Sequence, residues 1–241
     1  MLYLLRSIAQ WLLGFRKMYN FEKNHEYSGT LICVEGIDGS GKSTQIRILR
    51  DWLLSLGQNV IYTEWNSSNL IASTTKVAKH KNFFTPKTFS IAHAVDFADR
   101  LENIIIPNLK EGAIILSDRY IYTAFARDVA RGVRPAWVKN MYNFAIKPDL
   151  CFYFNVPVKS ALERICSNRS PKYYEAGMDI KLCQDPYESF LIFQGKVKAE
   201  YDKLKTEFNF IEIDALKSLH TKQIIFRKKV VEKLKEKGIE I

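Results

Sequence analysis

The sequence has little of what would place it outside ordinary globular enzymes. Only four cysteines occur in 241 residues, Cys33, Cys151, Cys166 and Cys183. They are too scattered for a C-x-x-C pair or a Cys/His cluster at zinc spacing, so neither a disulfide framework nor a structural metal is indicated, and a reducing cytoplasm is the expected location. No run reaches ~18 uninterrupted apolar residues, so no transmembrane helix is expected. Internal repeats and low-complexity tracts are missing, and 47% apolar residues with 26% charged ones exclude a disordered or fibrous chain. Acidic residues are the scarcer sign: 26 Asp and Glu against 36 Lys and Arg leave +10. That excess fits a partner carrying negative charge, whether a nucleotide, a nucleic acid or a membrane surface.

The opening MLYLLRSIAQWLLGFRKMYN has no small-residue cleavage site, and Arg6, Gln10, Arg16 and Lys17 interrupt it, which argues against a signal peptide. Leu5, Ile8, Leu12 and Phe15 share one helical stripe, widened by Leu2, Leu4 and Trp11. Such a segment packs as a helix on its own domain or on a second copy, lies in a membrane interface with weak surface contact, or stays disordered. Residues 1–27 are therefore expected to form an amphipathic extension and a polar linker, and residues 28–241 one folded domain.

Strands and helices alternate through that domain. TLICVEG (30–36), NVIYTE (59–64), AIILSD (113–118), DLCFYFNV (149–156) and FNFIEID (208–214) read as strands. Helices are expected from Lys42 to Leu56, from Pro86 toward Lys110, from Pro135, from Pro157 to Ser167, from Pro186 to Glu207, and at the C-terminus. Thr85-Pro86 and Asp185-Pro186 supply caps and first-turn prolines, and Gly57 and Gly112 supply stops. The expected fold is α/β, a five-stranded doubly wound parallel sheet flanked by helices, with ligands at the carboxyl ends of the strands.

The carboxyl end of the first strand carries the chemistry. Gly36-Ile37-Asp38-Gly39-Ser40-Gly41-Lys42-Ser43 fits G-x-x-x-x-G-K-S/T, a spacing that arises by chance in roughly one such chain in a hundred. Glycines let backbone N–H groups wrap phosphate oxygens, Lys42 holds the β- and γ-phosphates, and Ser43 offers a hydroxyl to Mg²⁺. The helix that follows, with Thr44 in its first turn, points its positive end at the anion. This is the P-loop NTPase pattern. After the third strand, Asp118-Arg119-Tyr120 puts a carboxylate where a P-loop protein faces magnesium, and an arginine within reach of a phosphoryl group in flight.

In this order, CVEGIDGSGKSTQ, FADR (97–100), SDRYIYTAFA (117–126), PDLCFYFNVPVKSALERI (148–165) and IDA (213–215) resemble successive landmarks of the thymidylate kinase family of nucleoside-monophosphate kinases. The resemblance covers about residues 29–216. It implies phosphoryl transfer from MgATP to a deoxynucleoside monophosphate, usually dTMP, on a CORE–LID arrangement, commonly as a homodimer. It places Asp38 near the acceptor ribose 3′-hydroxyl, Arg119 between donor and acceptor phosphates, and Arg100 against the base. Because residue 39 is glycine where some members carry an arginine, transition-state charge is expected to be met from the lid, segment 167–190, by Arg169 or Lys172.

Three positions depart from the family pattern. Glu64 stands where a phosphate-binding arginine belongs, and cannot replace it. Asp96 stands where an aromatic stacks on the base, with Phe97 about 100° round the helix. The platform is then absent or supplied by Trp65, Tyr173 or Tyr174. Ala126-Arg127-Asp128 replaces A-Y-Q, so that Arg127 either compensates for the missing phosphate arginine or is a solvated helix residue. Two other readings stay open. A regulatory P-loop protein would keep Lys42 and Ser43 without acting on a monophosphate. A nucleic-acid binder would use the +10 charge and Arg227, Lys228, Lys229, Lys233, Lys235 and Lys237. Ile224, Ile225, Val231 and Leu234 at helical spacing favour an amphipathic terminal helix for that tail, so no nucleic-acid partner is expected.

Overall fold

The computed structural model describes residues 21–241; the helix expected over residues 1–20 lies outside them. Five strands form one all-parallel sheet: β1 (Thr30–Glu35), β2 (Val60–Glu64), β3 (Ile114–Asp118), β4 (Leu150–Asn155) and β5 (Ile211–Asp214), in the order β2-β3-β1-β4-β5. Every residue of β1 and β3 is buried, as expected of central parallel strands covered on both faces. The order reverses around β1, and the crevice beyond its carboxyl end is the natural ligand position of such a sheet. Register sets the neighbours there: Val34 pairs with Asp118 and Asp118 with Glu64.

The covering helices are α1 (Lys42–Ser55), α2 (Ala72–His80), α3 (Pro86–Arg100), α4 (Ile106–Lys110), α5 (Ile121–Ala130), α6 (Pro135–Met141), α7 (Val158–Cys166), α8 (Pro186–Glu207) and α9 (Leu219–Glu236). Thr85 and Thr88 close a reciprocal capping box at the start of α3, and the Asp185 carboxylate accepts from the Tyr187 and Glu188 N–H groups at the start of α8. The helix expected to run unbroken from Pro86 toward Lys110 passes through one π-helical turn, Leu101–Ile105. Pro107 has no N–H to donate back to that turn, and the wider winding absorbs the lost bond. The last strand starts at Ile211 rather than Phe208, because α8 runs to Glu207 and Asn209 turns the chain in a left-handed conformation.

Residues 21–27, expected as a linker, lie against the domain. Phe21 is buried, edge-on to Phe125, and His25 shares Asp149 with Lys237 and the Leu31 N–H. Among the described residues, no helix is long and apolar enough to cross a membrane.

Candidate active site

A cleft of about 860 Å³ opens beyond the carboxyl ends of β1, β3 and β2. Its floor is the loop between β1 and α1. Gly39 and Gly41 have φ near +80°, a region that L side chains resist. A Cβ at Gly39 would also stand 2.4 Å from the Ala161 carbonyl oxygen, so no arginine fits at that position. Asp38, Gly39, Gly41, Lys42, Ser43 and Thr44 line the cleft. Gly36, Ile37 and Ser40 do not: the Gly36 and Ile37 carbonyls instead accept from Arg119 Nη1 and Lys42 Nζ, both at 3.2 Å. Burial, with Arg119 opposite, brings the Lys42 ammonium down to about 8. An anion brought against it would restore its charge.

Asp38 is the electrostatic centre. Arg119 Nη2 and Arg127 Nη1 each donate to one of its oxygens, and Gln194 Nε2 donates to the second at 3.0 Å. Burial alone would raise its pKa, yet Arg127, Arg119 and Lys42 hold the carboxyl far below the usual range. Arg119 itself sits at φ 74°, a conformation costing about 1–3 kcal/mol for a non-glycine residue. Neighbouring bonds pin it there: its N–H donates to Val34 O at 3.0 Å, its carbonyl accepts from Ser117 Oγ, and the next N–H, of Tyr120, donates to Glu35 Oε1 at 2.7 Å. Glu35 also accepts from Thr123 Oγ1 and Tyr201 OH; burial pushes its carboxyl pKa up against these bonds.

Asp118 closes β3 beside the loop. Oδ2 lies 3.4 Å from the Tyr62 hydroxyl that donates to it, while buried Oδ1 has no partner. With Ser43 on the same cleft and the glycine turn beneath, the donor set fits a phosphate-bound magnesium: one hydroxyl, one carboxylate oxygen and room for phosphate oxygens. Among the described residues there is no group of three or more His, Cys, Asp or Glu side chains that could hold a metal ion.

The other expected residues separate into two groups. Arg127 is only 9% exposed and lines the cleft, so it is not a solvated helix residue. Arg169 and Lys172 line it from the lid, where Glu175 accepts two bonds from Arg169 at 2.8 and 2.9 Å. Arg127 and Arg131 both donate to the Tyr174 carbonyl, which ties the lid to α5. Arg100, expected at the base, is fully buried and does not line the cleft: Nε donates to Asp96, Nη1 to Thr63, and the guanidinium lies 5.5 Å from the Trp65 ring. Asp96 is equally absent from the cleft wall, because it accepts from the N–H groups of Asn66 and Ser68 as well as from Arg100. The carboxylate expected to face the ligand instead anchors the loop after β2.

The loop after β2, α2, α3 and α5 supply cleft residues that the sequence did not reveal: Asn66, Lys79, Phe89, His93 and Thr123. Burial, helped by Arg127 and Arg131, lowers Lys79 to about 8. Glu64, also on the cleft, is exposed and accepts from Tyr62 OH at 3.2 Å. Of the aromatics expected as a platform, Trp65, Tyr173 and Tyr174 are present, and Phe89 joins them, 4.9 Å from Tyr174. Side chains reaching into the same space from the loop after β2, α2, α3, α5 and segment 167–190 leave no spacing in the sequence to read.

Comparison with known proteins shows the family. The sequence profile of the thymidylate kinase family matches residues 34–224. A probable thymidylate kinase 2 of Saccharolobus solfataricus is 50% identical over 203 residues, 83% of this chain and 94% of that protein. A probable thymidylate kinase of Thermococcus onnurineus is 32% identical, across 73% of this chain and 84% of its own. A thymidylate kinase of Thermoanaerobacter is 29% identical over 79% of this chain and 92% of its own length.

Proposed function

The chain belongs to the thymidylate kinase family and is a nucleotide kinase, and from that premise we propose that it transfers the γ-phosphoryl group of MgATP to dTMP, yielding dTDP and ADP. One observation carries the reading: a single cleft holds a phosphate-wrapping loop, the Asp118-Arg119 pair and two further cations, Lys79 and the Arg127 that shares Asp38 with Arg119. A protein that only sensed ATP would need the first of these and not the last.

In this reading the backbone of Asp38, Gly39 and residues 41–44 and the Lys42 ammonium hold the donor phosphates. Ser43 and Asp118 would hold magnesium, which when bound would neutralise phosphate oxygens. Arg119 spans donor and acceptor phosphates, and its clamp on Asp38 keeps that carboxylate ionised and aimed at the acceptor sugar. Arg127 and Lys79 take the acceptor phosphate in place of the arginine missing at position 64. Arg169 leaves Glu175 to meet charge developing on the transferred group, with Lys172 beside it, as the lid excludes water. The base rests among Trp65, Phe89, Tyr173 and Tyr174, and Arg100 supports that wall from beneath Trp65. Residues 28–241 form the kinase domain, and the reading includes a cytoplasmic homodimer, the family's common form.

The test is direct. The full chain is incubated with MgATP and each of dTMP, dUMP, dCMP, dGMP and dAMP, and nucleoside diphosphates are separated by anion exchange. Acceptor-dependent dTDP formation is the expected result. ATP binding or slow hydrolysis that no monophosphate stimulates would instead favour a regulatory P-loop protein.

A further inference from the structure

His93 faces the base end of the cleft, and nothing in the phosphate chemistry above uses it. It is 3% exposed, wedged 4.2 Å from Phe89 and 5.4 Å from Trp65 between ring centroids. Neither ring nitrogen has a hydrogen-bond partner. Burying both in that state is costly, and a ligand that completes them removes the cost. Trp65 Nε1 and Asn66 Oδ1, on the same wall, are buried without partners as well. Asp128 stands behind the ring: its Oδ2 accepts from Ser90 Oγ, and its unpartnered Oδ1 lies 3.8 Å from His93 Nδ1.

We infer that His93 is a specificity-determining residue for the acceptor nucleotide, its Nε2 accepting a hydrogen bond from a ring N–H on the base. The inference rests on the acceptor reading above. A carboxylate facing Nδ1 favours the tautomer with the proton on that nitrogen, which leaves the Nε2 lone pair as the ring's acceptor. Burial keeps the ring neutral at pH 7 by lowering it to about 4, with Lys79 and Arg131 acting in the same direction and Asp128 against. A neutral imidazole so placed is an acceptor. Thymine and uracil present N3–H to it; cytosine presents a bare N3 at the same edge, and two lone pairs then face each other.

The test compares pyrimidine acceptors in wild type, His93→Phe, His93→Leu and His93→Gln. Wild type prefers dTMP and dUMP over dCMP by at least about tenfold in kcat/KM. His93→Phe, which keeps the ring packing, lowers kcat/KM for dTMP and dUMP about tenfold, chiefly through the acceptor KM, and leaves KM for ATP and the dCMP reaction nearly unchanged. The preference therefore collapses. His93→Leu is a second apolar variant if the first fails to fold, and His93→Gln, with a side-chain carbonyl to accept, regains part of the preference. An equal loss for all three acceptors means His93 is merely structural and overturns the inference, as does a preference that survives in the apolar variants. Wild type that phosphorylates no monophosphate overturns the acceptor reading and this inference with it, whereas turnover in wild type with either of the former results overturns the inference alone.

Discussion

The phosphate end and the base end of the cleft are built on opposite terms. At the phosphate end, apart from the unpartnered Asp118 Oδ1, the carboxylates are held before any ligand arrives: Asp38 by Arg119, Arg127 and Gln194, and Glu35 by Tyr120, Thr123 and Tyr201. At the base end Trp65 Nε1, Asn66 Oδ1 and both nitrogens of His93 have no partner. Dipoles and charges fixed in advance suit a chemical step that is the same for every acceptor, because they need no reorganisation as charge develops. Groups left for the ligand to complete suit discrimination, since a ligand that fails to pair them carries the penalty of burying them. The contrast implies that damage at one end lowers turnover and damage at the other redistributes it among acceptors.

The largest effect expected is on the anchor of the base end. Asp96 is buried against an equally buried Arg100 and holds the Asn66 and Ser68 N–H groups at 3.1 and 2.9 Å. Asp96→Ala removes one member of a buried ion pair and is expected to cost about 3–5 kcal/mol in urea unfolding, with Asp96→Asn costing less. A loss below ~1 kcal/mol would mean that the loop holds itself, and that the base end is less dependent on one residue than its bonds suggest. At the phosphate end, Lys42→Ala takes a fixed cation from the transferred oxygens. Turnover is expected to fall by on the order of 10²-fold or more, equivalent to ~3 kcal/mol, with the ranking of acceptors unchanged. Unaltered kcat in that variant contradicts the P-loop mechanism outright.

Arg169 sharpens the same contrast, because it belongs to neither end while it is paired with Glu175. Its side chain is 42% exposed in that pair. Arg169→Ala is expected to lower kcat roughly 30-fold, about 2 kcal/mol, and to raise KM for ATP much less, since the contact is made chiefly in the transition state. Steady-state kinetics with varied ATP decide it: an effect confined to KM makes Arg169 a ground-state ligand. A side chain at position 39 is blocked, so an arginine meeting that charge has to come from outside the loop.

How much of this was legible in the sequence follows the same division. The phosphate loop is contiguous, its work is done by backbone geometry, and its glycines, Lys42 and Ser43 stand at a spacing that can be read without a fold. The five strands were legible for a similar reason, since buried parallel strands are short apolar runs between turn residues. The base end is assembled from side chains on the β2 loop, α2, α3, α5 and the lid, and no periodicity links them. Helix α2 has no side-chain cap at Ile71 and only Thr75 is buried along it, so neither a start signal nor an apolar stripe marked it. Lys79 went unseen with it. Asp96 shows the limit most clearly: its identity suggested a carboxylate in the binding site, and only the positions of the Asn66 and Ser68 N–H groups show that the acid is spent on the scaffold.

The smallest effect expected, and the finest test of the contrast, is the ratio of dTMP to dUMP as acceptors. With Glu64 exposed where the family carries an arginine, phosphate binding falls to Arg127, Lys79 and Arg119, all of which are indifferent to the base. With Asp96 withdrawn into the scaffold, the base meets Trp65, Phe89, Tyr173 and Tyr174, whose faces accept any pyrimidine. His93 reads a ring N–H, which thymine and uracil share. The two acceptors then differ to this protein only by a methyl group, and one such group in an apolar pocket is worth about 1–3 kcal/mol at most. We therefore expect kcat/KM for dTMP to exceed that for dUMP by about tenfold, roughly 1.4 kcal/mol, and dTMP to be a favoured acceptor rather than an exclusive one. Side-by-side measurement settles the point: a margin of ~10³ over every other acceptor, ~4 kcal/mol, would show that the aromatic wall shapes a methyl-specific pocket despite the withdrawal of Asp96.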